Sequence, residues 1–536
     1  MINALTAMQN VPTEWSYASS KSYADPFNEA TLDVEITGPD RRSMRIPAFW
    51  AGENQWRVRF AADRAGEYRF RTLCSDEANR DLHDREGRIA VEPYTGENPL
   101  FRHGRLRITS NRRHLEHADG TPFFWLADTW WMGLSKRLGW PDDFQTLTAD
   151  RKAKGFSVVQ IVAGLYPDMA AFEERAANEA GHPWTSDYAR INPAYFDHAD
   201  LRLRWLIRCG IVPCIVGAWG YHLIWMGVEQ MQRHWRNLVA RYGAYPVVWC
   251  LAGEATMPFY RCENRDRDEQ EQKRGWTQIA RYVRELDPWS NPITIHPTTR
   301  GRDQVEDPAI LDFEMLQTGH SGHESISPTV RLVREALDRQ PTMPVIDSEV
   351  CYEGIMERCG PEVQRIIFWS AMLSGAAGHT YGANGIWQVN TEAQPYGPSP
   401  HGASWGGPPW NVAMNLRGSS QLAAGKRILE KFPWWSFERH PEWIEPTADQ
   451  NDPLNPYAAG VPGKLRLIYF PRFIPSWAKL YTVRKLERGI HYRAAFINPL
   501  DATEIPLGPI APDGDGSWPV PHAPVLHDWL LALEAE

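Results

Sequence analysis

Hydrophobic and polar positions alternate with a period of two in three short segments near the amino terminus. The segments are 31–37, 55–60 and 66–72, and polar turn residues separate them. This period is typical of half-buried strands, and several such strands without intervening helices favour a β-sandwich. The sequence therefore predicts an N-terminal β-sandwich over residues 1–95.

After residue 95, short apolar runs alternate with segments of helical periodicity. The apolar runs predict eight strands, at 122–128, 157–163, 211–217, 247–252, 292–296, 310–318, 344–349 and 377–381. Helices are predicted at 144–154, 192–209, 227–242, 266–286, 329–339 and 361–374. Eight strand–helix repeats are what a (β/α)8 TIM barrel requires, and we predict this α/β barrel over residues 96–439. An open doubly wound sheet shows the same alternation, but no Gly-rich fingerprint follows the first strand.

The carboxyl-terminal part returns to strand patterns. Apolar runs at 465–470, 477–482, 492–497 and 529–534 predict strands, and the Pro-rich stretch 440–463 reads as the join to the barrel. Residues 440–536 are therefore predicted to form a small C-terminal β-domain.

Composition and charge narrow the class of protein. Hydrophobic residues make up 43% and charged residues 23% of the chain, as in ordinary globular proteins. The formal net charge of −9 argues against a nucleic-acid partner, which needs a basic face. The longest apolar run, 211–219, is half the length of a membrane span. The first ten residues have no signal-peptide character, so we expect a cytoplasmic protein, or a secreted one if a leader has been removed.

Seven scattered cysteines without CxxC pairs argue against disulfides and against a zinc site, and no cofactor or metal is expected. Tryptophan, with 25 residues, outnumbers Phe and Tyr, which have 19 each. Such rings suit sugar faces as well as the protein core. A homo-oligomer is left open.

Reactive groups of a (β/α)8 barrel lie at the carboxyl ends of its strands. We therefore expect the substrate to be bound by residues that end or follow the predicted strands: Asp128, Trp130, Trp131, Gln160, His222, His296, Gln317, His320, Tyr352, Tyr381 and Trp387. The strand ends carry almost no Lys or Arg, which argues against phosphorylated substrates. Aromatic rings with neutral hydrogen-bonding groups favour a neutral sugar.

Glu254 and Glu349 end the fourth and seventh strands, which face each other across a closed eight-stranded barrel. Glycoside hydrolysis takes one carboxyl group as acid and a second as nucleophile or base. An apolar wall raises the pKa of the acid while its partner stays ionised. The competing interpretation is a helix-capping or salt-bridged Glu at each strand end.

Other residues have two interpretations each. Asp128 could hold a sugar hydroxyl or cap the first helix, and Tyr352 could orient Glu349 or simply pack. The histidines could be structural, and the pair His320 and His323 has no known zinc spacing.

Residues 402–406 match G-x-S-x-G, the serine-hydrolase elbow, with Ser404 as the nucleophile. The elbow needs a strand before it and a helix after it, and the flanking prolines disfavour both. Residues 395–410 are instead predicted to form a long loop over the barrel opening, with Trp405 and Trp410 available to contact a sugar.

The segments 125–130, 249–254, 378–382 and 385–387 resemble the apiosidase-like glycoside hydrolases. The tail, at 518–521 and 528–534, is similar to the collagen-binding-like β-domain that follows the barrel in that family. The resemblance implies a (β/α)8 barrel glycosidase, with the strand-four acid at Glu254 and the strand-seven carboxylate at Glu349. Many members carry Gly-Gly-Asp at strand four, where this chain has Ala252-Gly253-Glu254.

The leading hypothesis is a retaining glycoside hydrolase acting on a neutral sugar or oligosaccharide, with Glu254 as acid/base and Glu349 as nucleophile. The first alternative is a non-catalytic carbohydrate-binding protein on a TIM-barrel scaffold. The second alternative is the serine hydrolase.

Overall fold

The computed structural model describes residues 4–449, 451–472 and 481–536. Its central sheet has eight parallel strands: β1 (Trp125–Trp130), β2 (Val158–Val162), β3 (Val212–Val216), β4 (Val248–Cys250), β5 (Ile293–Thr294), β6 (Glu314–Gln317), β7 (Val345–Glu349) and β8 (Gly378–Tyr381). The strand order is β5-β4-β3-β2-β1-β8-β7-β6. The Thr294 hydroxyl in β5 donates to the Phe313 carbonyl beside β6 at 2.9 Å, which links the two ends of the sheet. The predicted TIM-barrel fold is confirmed.

Within these described ranges, seven longer helices surround the sheet: α1 (Asp142–Ala153), α2 (Pro193–Arg208), α3 (His222–Tyr242), α4 (Arg265–Leu286), α5 (Ile326–Asp338), α6 (Pro361–Leu373) and α7 (Arg417–Glu430). Shorter helical turns are Pro26–Glu29, Pro99–Arg102, Glu174–Ala176, Gly322–Ser325, Ile355–Glu357, Trp410–Ala413, Trp434–Ser436 and Pro441–Trp443. Helix α3 begins five residues earlier than predicted, because Gly227 (φ 76°) interrupts it rather than starting it. Helix α7 lies outside the predicted set.

One strand–helix repeat is incomplete. Between β5 and β6 the chain forms only the 3₁₀ turns Gly301–Gln304 and Pro308–Ile310. The predicted helices likewise include none between the fifth and sixth strands, because this connection is too short and too rich in turn residues to hold one.

The amino-terminal part consists of two sheets packed face to face. One sheet has the order Ala4–Met8, Glu86–Glu92, Gly66–Cys74, Leu32–Thr37, Ser43–Pro47, and the other has the order Thr13–Ala18, Gln55–Phe60, Phe49–Gly52. Trp15 of the second sheet contacts Phe70 of the first, with ring centroids 5.2 Å apart, so the two sheets share one core. A small sheet of Leu106–Ile108, Leu115–His117 and Pro122–Phe123 then leads into β1.

The carboxyl-terminal part also has two antiparallel sheets. The larger has the order Glu438–Arg439, Tyr457–Val461, Leu465–Phe470, Trp529–Ala535, Tyr492–Ile497, Glu504–Pro509. The smaller joins Ile444–Glu445, Thr482–Val483 and Trp518–Pro519. Residues 477–480 of the predicted strand 477–482 lie outside the described residues. The domain limits 1–95, 96–439 and 440–536 stay predictions.

Buried ion pairs join both flanking parts to the barrel. Arg59 of the sandwich pairs with Asp200 of α2, and Arg365 of α6 donates two hydrogen bonds to Asp528, at 2.9 and 2.7 Å. All four side chains are at least nine-tenths buried. Across the described ranges, every helix is too short or too polar to span a membrane.

Candidate active site

Glu254 and Glu349 meet at the carboxyl-terminal opening of the barrel. Glu349 is the last residue of β7, and Glu254 follows β4 by four residues. The Nε2 group of Gln317, at the end of β6, donates to Glu254 Oε1 at 3.2 Å and to Glu349 Oε1 at 3.1 Å. The two oxygens therefore cannot lie more than 6.3 Å apart, the sum of these distances.

A bulge in β7 contributes to the placement of Glu349. Leu316 pairs with Asp347 and Gln317 pairs with Glu349, so Ser348 is an extra residue on this strand. Bulges re-aim neighbouring side chains. The Ser348 hydroxyl donates to the Leu316 carbonyl at 2.8 Å, which fixes the bulge against β6.

Two histidines hold the Glu349 carboxylate. His296 Nε2 lies 2.9 Å from Oε2, and His320 Nε2 lies 2.9 Å from Oε1. Burial opposes ionisation of Glu349, but the hydrogen bonds and positive charge of His296 and His320 outweigh it and lower its pKa to about 2. The same contact with Glu349 raises the pKa of His320 against the opposing effect of its burial. Glu349 is therefore a carboxylate at neutral pH.

Both ring nitrogens of His296 are held by neighbouring groups. Its Nδ1 lies 3.2 Å from the Ser348 hydroxyl, and its Nε2 lies 2.9 Å from Glu349 Oε2. The Ser348 hydroxyl in turn donates to the Leu316 carbonyl at 2.8 Å. His296 is therefore fixed between the β7 bulge and the Glu349 carboxylate.

Glu254 has a contrasting environment. Burial, with the nearby negative charge of Glu349, raises its pKa to about 7. Its two contacts, from Gln317 at 3.2 Å and from Trp219 Nε1 at 3.2 Å, are both donors toward it. A proton on Glu254 is therefore not taken up by either contact and can be given to a ligand. Its backbone lies in the left-handed region, with φ 40°, which is uncommon outside glycine and is found at functional sites.

Aromatic rings form the wall around the two carboxylates. Together with Glu254, Glu349 and residues of the surrounding loops, these rings line a cavity of about 290 Å3. The aromatic residues are Trp131, Trp219, Tyr260, Tyr352, Trp387 and Trp405. Trp131 and Trp219 meet edge to face at 5.4 Å, and Trp131 Nε1 donates to the Tyr352 hydroxyl at 3.0 Å. Rings of this kind suit the C–H faces of sugars.

Two glycines make room for these rings. A Cβ atom at Gly253 would lie 2.2 Å from the Trp219 ring, and a Cβ atom at Gly382 would lie 2.0 Å from the Tyr352 ring. Gly253 directly precedes Glu254 in the chain. Its lack of a side chain lets Trp219 pack over the strand end and reach Glu254.

Asp168 connects three loops above the cavity. Its carboxylate accepts from the Tyr260 hydroxyl at 2.9 Å and from Trp405 Nε1 at 2.7 Å. These partners belong to the loops after β4 and β8, whereas Asp168 belongs to the loop after β2. Asp168 thereby holds two of the cavity rings in place.

The structure brings seven of the predicted site residues to the cavity: Trp131, Glu254, Gln317, His320, Glu349, Tyr352 and Trp387. Gln317 was predicted only as a sugar contact. In the structure its side-chain amide bridges the two carboxylates. The loop position of Trp405 at the cavity also agrees with its predicted placement over the opening.

Six predicted sugar contacts lie elsewhere, and the structure corrects them. Asp128, Trp130, Gln160, His222, His296 and Tyr381 are all buried away from the cavity lining. Asp128 pairs with Arg151 of α1 at 2.6 Å and accepts from Trp130, so both side chains face the helices rather than the opening. The remaining four are turned inward or held by neighbours: Gln160 donates to the Ser348 carbonyl, His222 contacts the Tyr166 carbonyl, His296 contacts Glu349, and Tyr381 donates to Glu353.

Sequence reasoning missed Asp168, Met257, Tyr260 and His401, and left Trp219 outside its predicted set, although all five line the cavity. The loops that carry them are long, and their residue types recur throughout the chain. The only signal was their position after strands β2, β3, β4 and β8.

The serine-hydrolase elbow is not formed. Ser404 lies exposed in a loop, where it pairs with Pro398 in an isolated bridge, and the next helix begins only at Trp410. Within the described residues, no group of three His, Cys, Asp or Glu side chains is arranged to hold a metal ion.

A (β/α)8 barrel whose opening holds two carboxylates in an aromatic cavity defines the class of barrel glycoside hydrolases. Residues 109–436, more than half of the chain, match the family described as apiosidase-like, catalytic domain. The chain belongs to this family and is a glycoside hydrolase acting on carbohydrate. Residues 8–75 match a domain of unknown function, DUF5060.

Solved structures show the same fold. A glycoside hydrolase family 5 protein from Bacteroides vulgatus is 22% identical, with a TM-score of 0.68 over 83% of this chain and 95% of that one. A second protein from this organism, provisionally titled a glycoside hydrolase, is 19% identical, with a TM-score of 0.69 over 99% of this chain and 100% of that one. A third structure, titled glycoside hydrolase, is 22% identical, with a TM-score of 0.67 over 82% and 98%. No curated protein matches the chain.

Proposed function

We propose that the chain is a retaining glycoside hydrolase in which Glu254 is the acid/base and Glu349 is the nucleophile. The observation that carries this proposal is the shared Gln317 donor, which keeps the two carboxyl groups close, at 3.2 and 3.1 Å from one nitrogen. Their opposite pKa shifts give each carboxyl group a separate role.

The separation of the carboxyl groups favours retention. The two N–H bonds of a primary amide diverge by roughly 120°, so acceptors on both lie about 5.5 Å apart at these distances. Retaining enzymes place their carboxyl groups about 5–5.5 Å apart, whereas inverting enzymes need about 6.5–9.5 Å to admit a water molecule between them. The shared Gln317 donor limits the distance between the two Oε1 atoms to 6.3 Å, which supports the shorter, retaining separation.

Each residue then has a defined step. Ionised Glu349 attacks the anomeric carbon and forms a covalent glycosyl ester, while Glu254 gives its proton to the departing glycosidic oxygen. Glu254, now ionised, takes a proton from water, and the resulting hydroxide attacks the anomeric carbon and releases Glu349. The contact with His296 holds the Glu349 carboxylate in place between turnovers.

The cavity supports a neutral sugar as the group that binds next to these carboxylates. Among the described residues that line it there is no Lys or Arg, whereas aromatic rings surround it on several sides. Its volume of about 290 Å3 is at the lower end of the range for small-molecule sites, which favours a short part of the substrate over a long chain.

The proposal is tested by the configuration of the first product. A panel of aryl glycosides, furanosides included, identifies a substrate, and proton NMR then follows the anomeric signals during the first minutes of hydrolysis. We expect the product to appear with the configuration of the substrate. Initial release of the opposite anomer contradicts the retaining mechanism.

A further inference from the structure

A second cavity lies at the opposite end of the barrel from the two carboxylates. Its volume is about 670 Å3, larger than that of the catalytic cavity. It is lined by residues 111–114 before β1, by the ends of α5 and α6, and by 434–439 at the start of the C-terminal part. Residues 111–114 and the ends of α5 and α6 precede barrel strands, and residues 434–439 follow the end of α7. Glu254 and Glu349 instead follow their strands, so this cavity opens at the amino-terminal end of the barrel.

Trp435 presents a ring at this cavity. It is 41% exposed, whereas its neighbour Trp434 is buried against Phe124, with ring centroids 4.9 Å apart. Of the Trp side chains within the described ranges, Trp435 alone is among the exposed large hydrophobic residues. An indole ring open to solvent in this way suits the C–H face of a sugar.

The polar lining offers donors and acceptors in similar numbers. The guanidinium groups of Arg113, Arg334 and Arg439 donate, and the carboxylates of Asp338 and Glu438 accept. The ion pairs formed within the described residues include none of these three arginines, whereas Glu438 Oε2 lies 3.9 Å from His440 Nε2. Because the carboxyl-terminal ends of α5 and α6, where helix dipoles are negative, also lie here, the positive charge is largely balanced. Such a lining fits hydroxyl groups, which both donate and accept, better than an anion.

Two buried polar atoms beside this cavity lack partners among the described residues. His114 Nδ1 and Ser374 Oγ make no hydrogen bond, although these residues are only 8% and 2% exposed. Burying such groups without a partner is costly, and both residues line the cavity. A ligand with hydroxyl groups would satisfy both atoms.

We infer that this cavity is a non-catalytic binding site for a neutral oligosaccharide, with Trp435 stacking on a sugar ring and the arginines, Asp338, Glu438, His114 and Ser374 bonding its hydroxyl groups. The site would hold a part of a glycan other than the part being cleaved. The inference uses the carbohydrate class of the enzyme and is independent of the roles proposed for Glu254 and Glu349.

The test measures binding without turnover. Isothermal titration calorimetry with the full-length Glu349→Gln protein uses four neutral trisaccharides (cellotriose, xylotriose, mannotriose and galactotriose) and the charged trigalacturonate. We expect at least one neutral trisaccharide to bind, and Trp435→Ala in the same background to weaken that binding about tenfold or more. Trp435→Phe keeps an aromatic face and should recover part of the affinity.

Controls separate this site from the catalytic cavity. Leu526→Ala, which removes another exposed apolar side chain, should leave the affinity unchanged. Trp405→Ala alters the catalytic cavity and should also leave this binding unchanged. In the otherwise unmodified enzyme, Trp435→Ala should hydrolyse a small aryl glycoside at the normal rate, so loss of binding and loss of hydrolysis are distinguishable.

Three results would overturn the inference. They are the absence of binding by all four neutral trisaccharides, tighter binding of trigalacturonate than of any of them, and binding that Trp405→Ala abolishes while Trp435→Ala does not.

Discussion

Glu254 and Glu349 prefer opposite protonation states although a single amide nitrogen contacts both. The pKa of Glu254 is raised to about 7 by its burial and by the charge of Glu349. The pKa of Glu349 is lowered to about 2 because two histidine hydrogen bonds and their charge outweigh its burial. One carboxyl group can therefore serve as an acid while the other is ionised, between about pH 2 and pH 7.

The pH dependence of kcat/KM should follow these two values. Raising the pH through about 7 removes the proton from Glu254, so activity should fall on the alkaline side. Lowering the pH toward about 2 protonates Glu349, so activity should fall only in strong acid. On an aryl glycoside with a good leaving group, Glu254→Gln should abolish the alkaline decline, because no acid is then needed or titrated. An alkaline decline that persists unchanged in this variant would assign it to another group.

Substitutions of the two carboxylates should have different kinetic effects. Glu349→Ala should lose nearly all activity, whereas Glu254→Ala should lose about 10²–10⁴-fold on substrates with poor leaving groups and much less on activated ones. Azide should rescue Glu254→Ala and give a glycosyl azide of retained configuration. Glu392→Gln, an exposed carboxylate in the loop after β8, is the matched control and should be fully active. Normal turnover in Glu349→Ala would rule out the nucleophile assignment.

Much of the fold could be predicted, because the apolar strands and the glycines after the helices carry strong local signals. The acid pair could also be predicted, since strand ends four and seven meet in any closed barrel of eight. The direction of each side chain could not be predicted. Strands buried on both faces show no alternation, so the sequence does not indicate that Asp128 faces Arg151 or that an extra residue, Ser348, precedes Glu349.

His296 should act as a positioning residue for Glu349. Its replacement by Ala removes a 2.9 Å hydrogen bond and a positive charge, so the pKa of Glu349 should rise and the acid limit of kcat/KM should move upward by about one pH unit or more. His323→Ala, an exposed histidine in the loop after β6, is the matched control. Circular dichroism checks that both variants fold. A lower rate with an unmoved acid limit would indicate a purely structural role.

Gly253 should be required for the position of Trp219. In Gly253→Ala the new methyl group overlaps the Trp219 ring at 2.2 Å, so the ring must move and its 3.2 Å hydrogen bond to Glu254 should break. We expect kcat/KM to fall by about tenfold to a hundredfold, as for small misplacements of catalytic groups. Gly514→Ala has free space around it and should be neutral. The double variant Gly253→Ala with Trp219→Ala should be more stable than Gly253→Ala alone, and equal stability would show that the two positions do not clash.

The Arg365–Asp528 ion pair should hold the C-terminal β-domain on the barrel. Arg365→Ala leaves Asp528, which is only 4% exposed, with the Tyr469 hydroxyl at 2.9 Å and His527 Nδ1 at 3.9 Å. Removing one partner of a buried pair costs about 3–5 kcal/mol, which urea unfolding can measure. The exposed pair Lys431–Glu504 also joins the end of α7 to this domain, and Lys431→Ala should cost less than about 1 kcal/mol. Limited proteolysis between 440 and 463 should accelerate in Arg365→Ala only. Equal losses in the two variants would mean that burial of the pair does not determine how the domain is held.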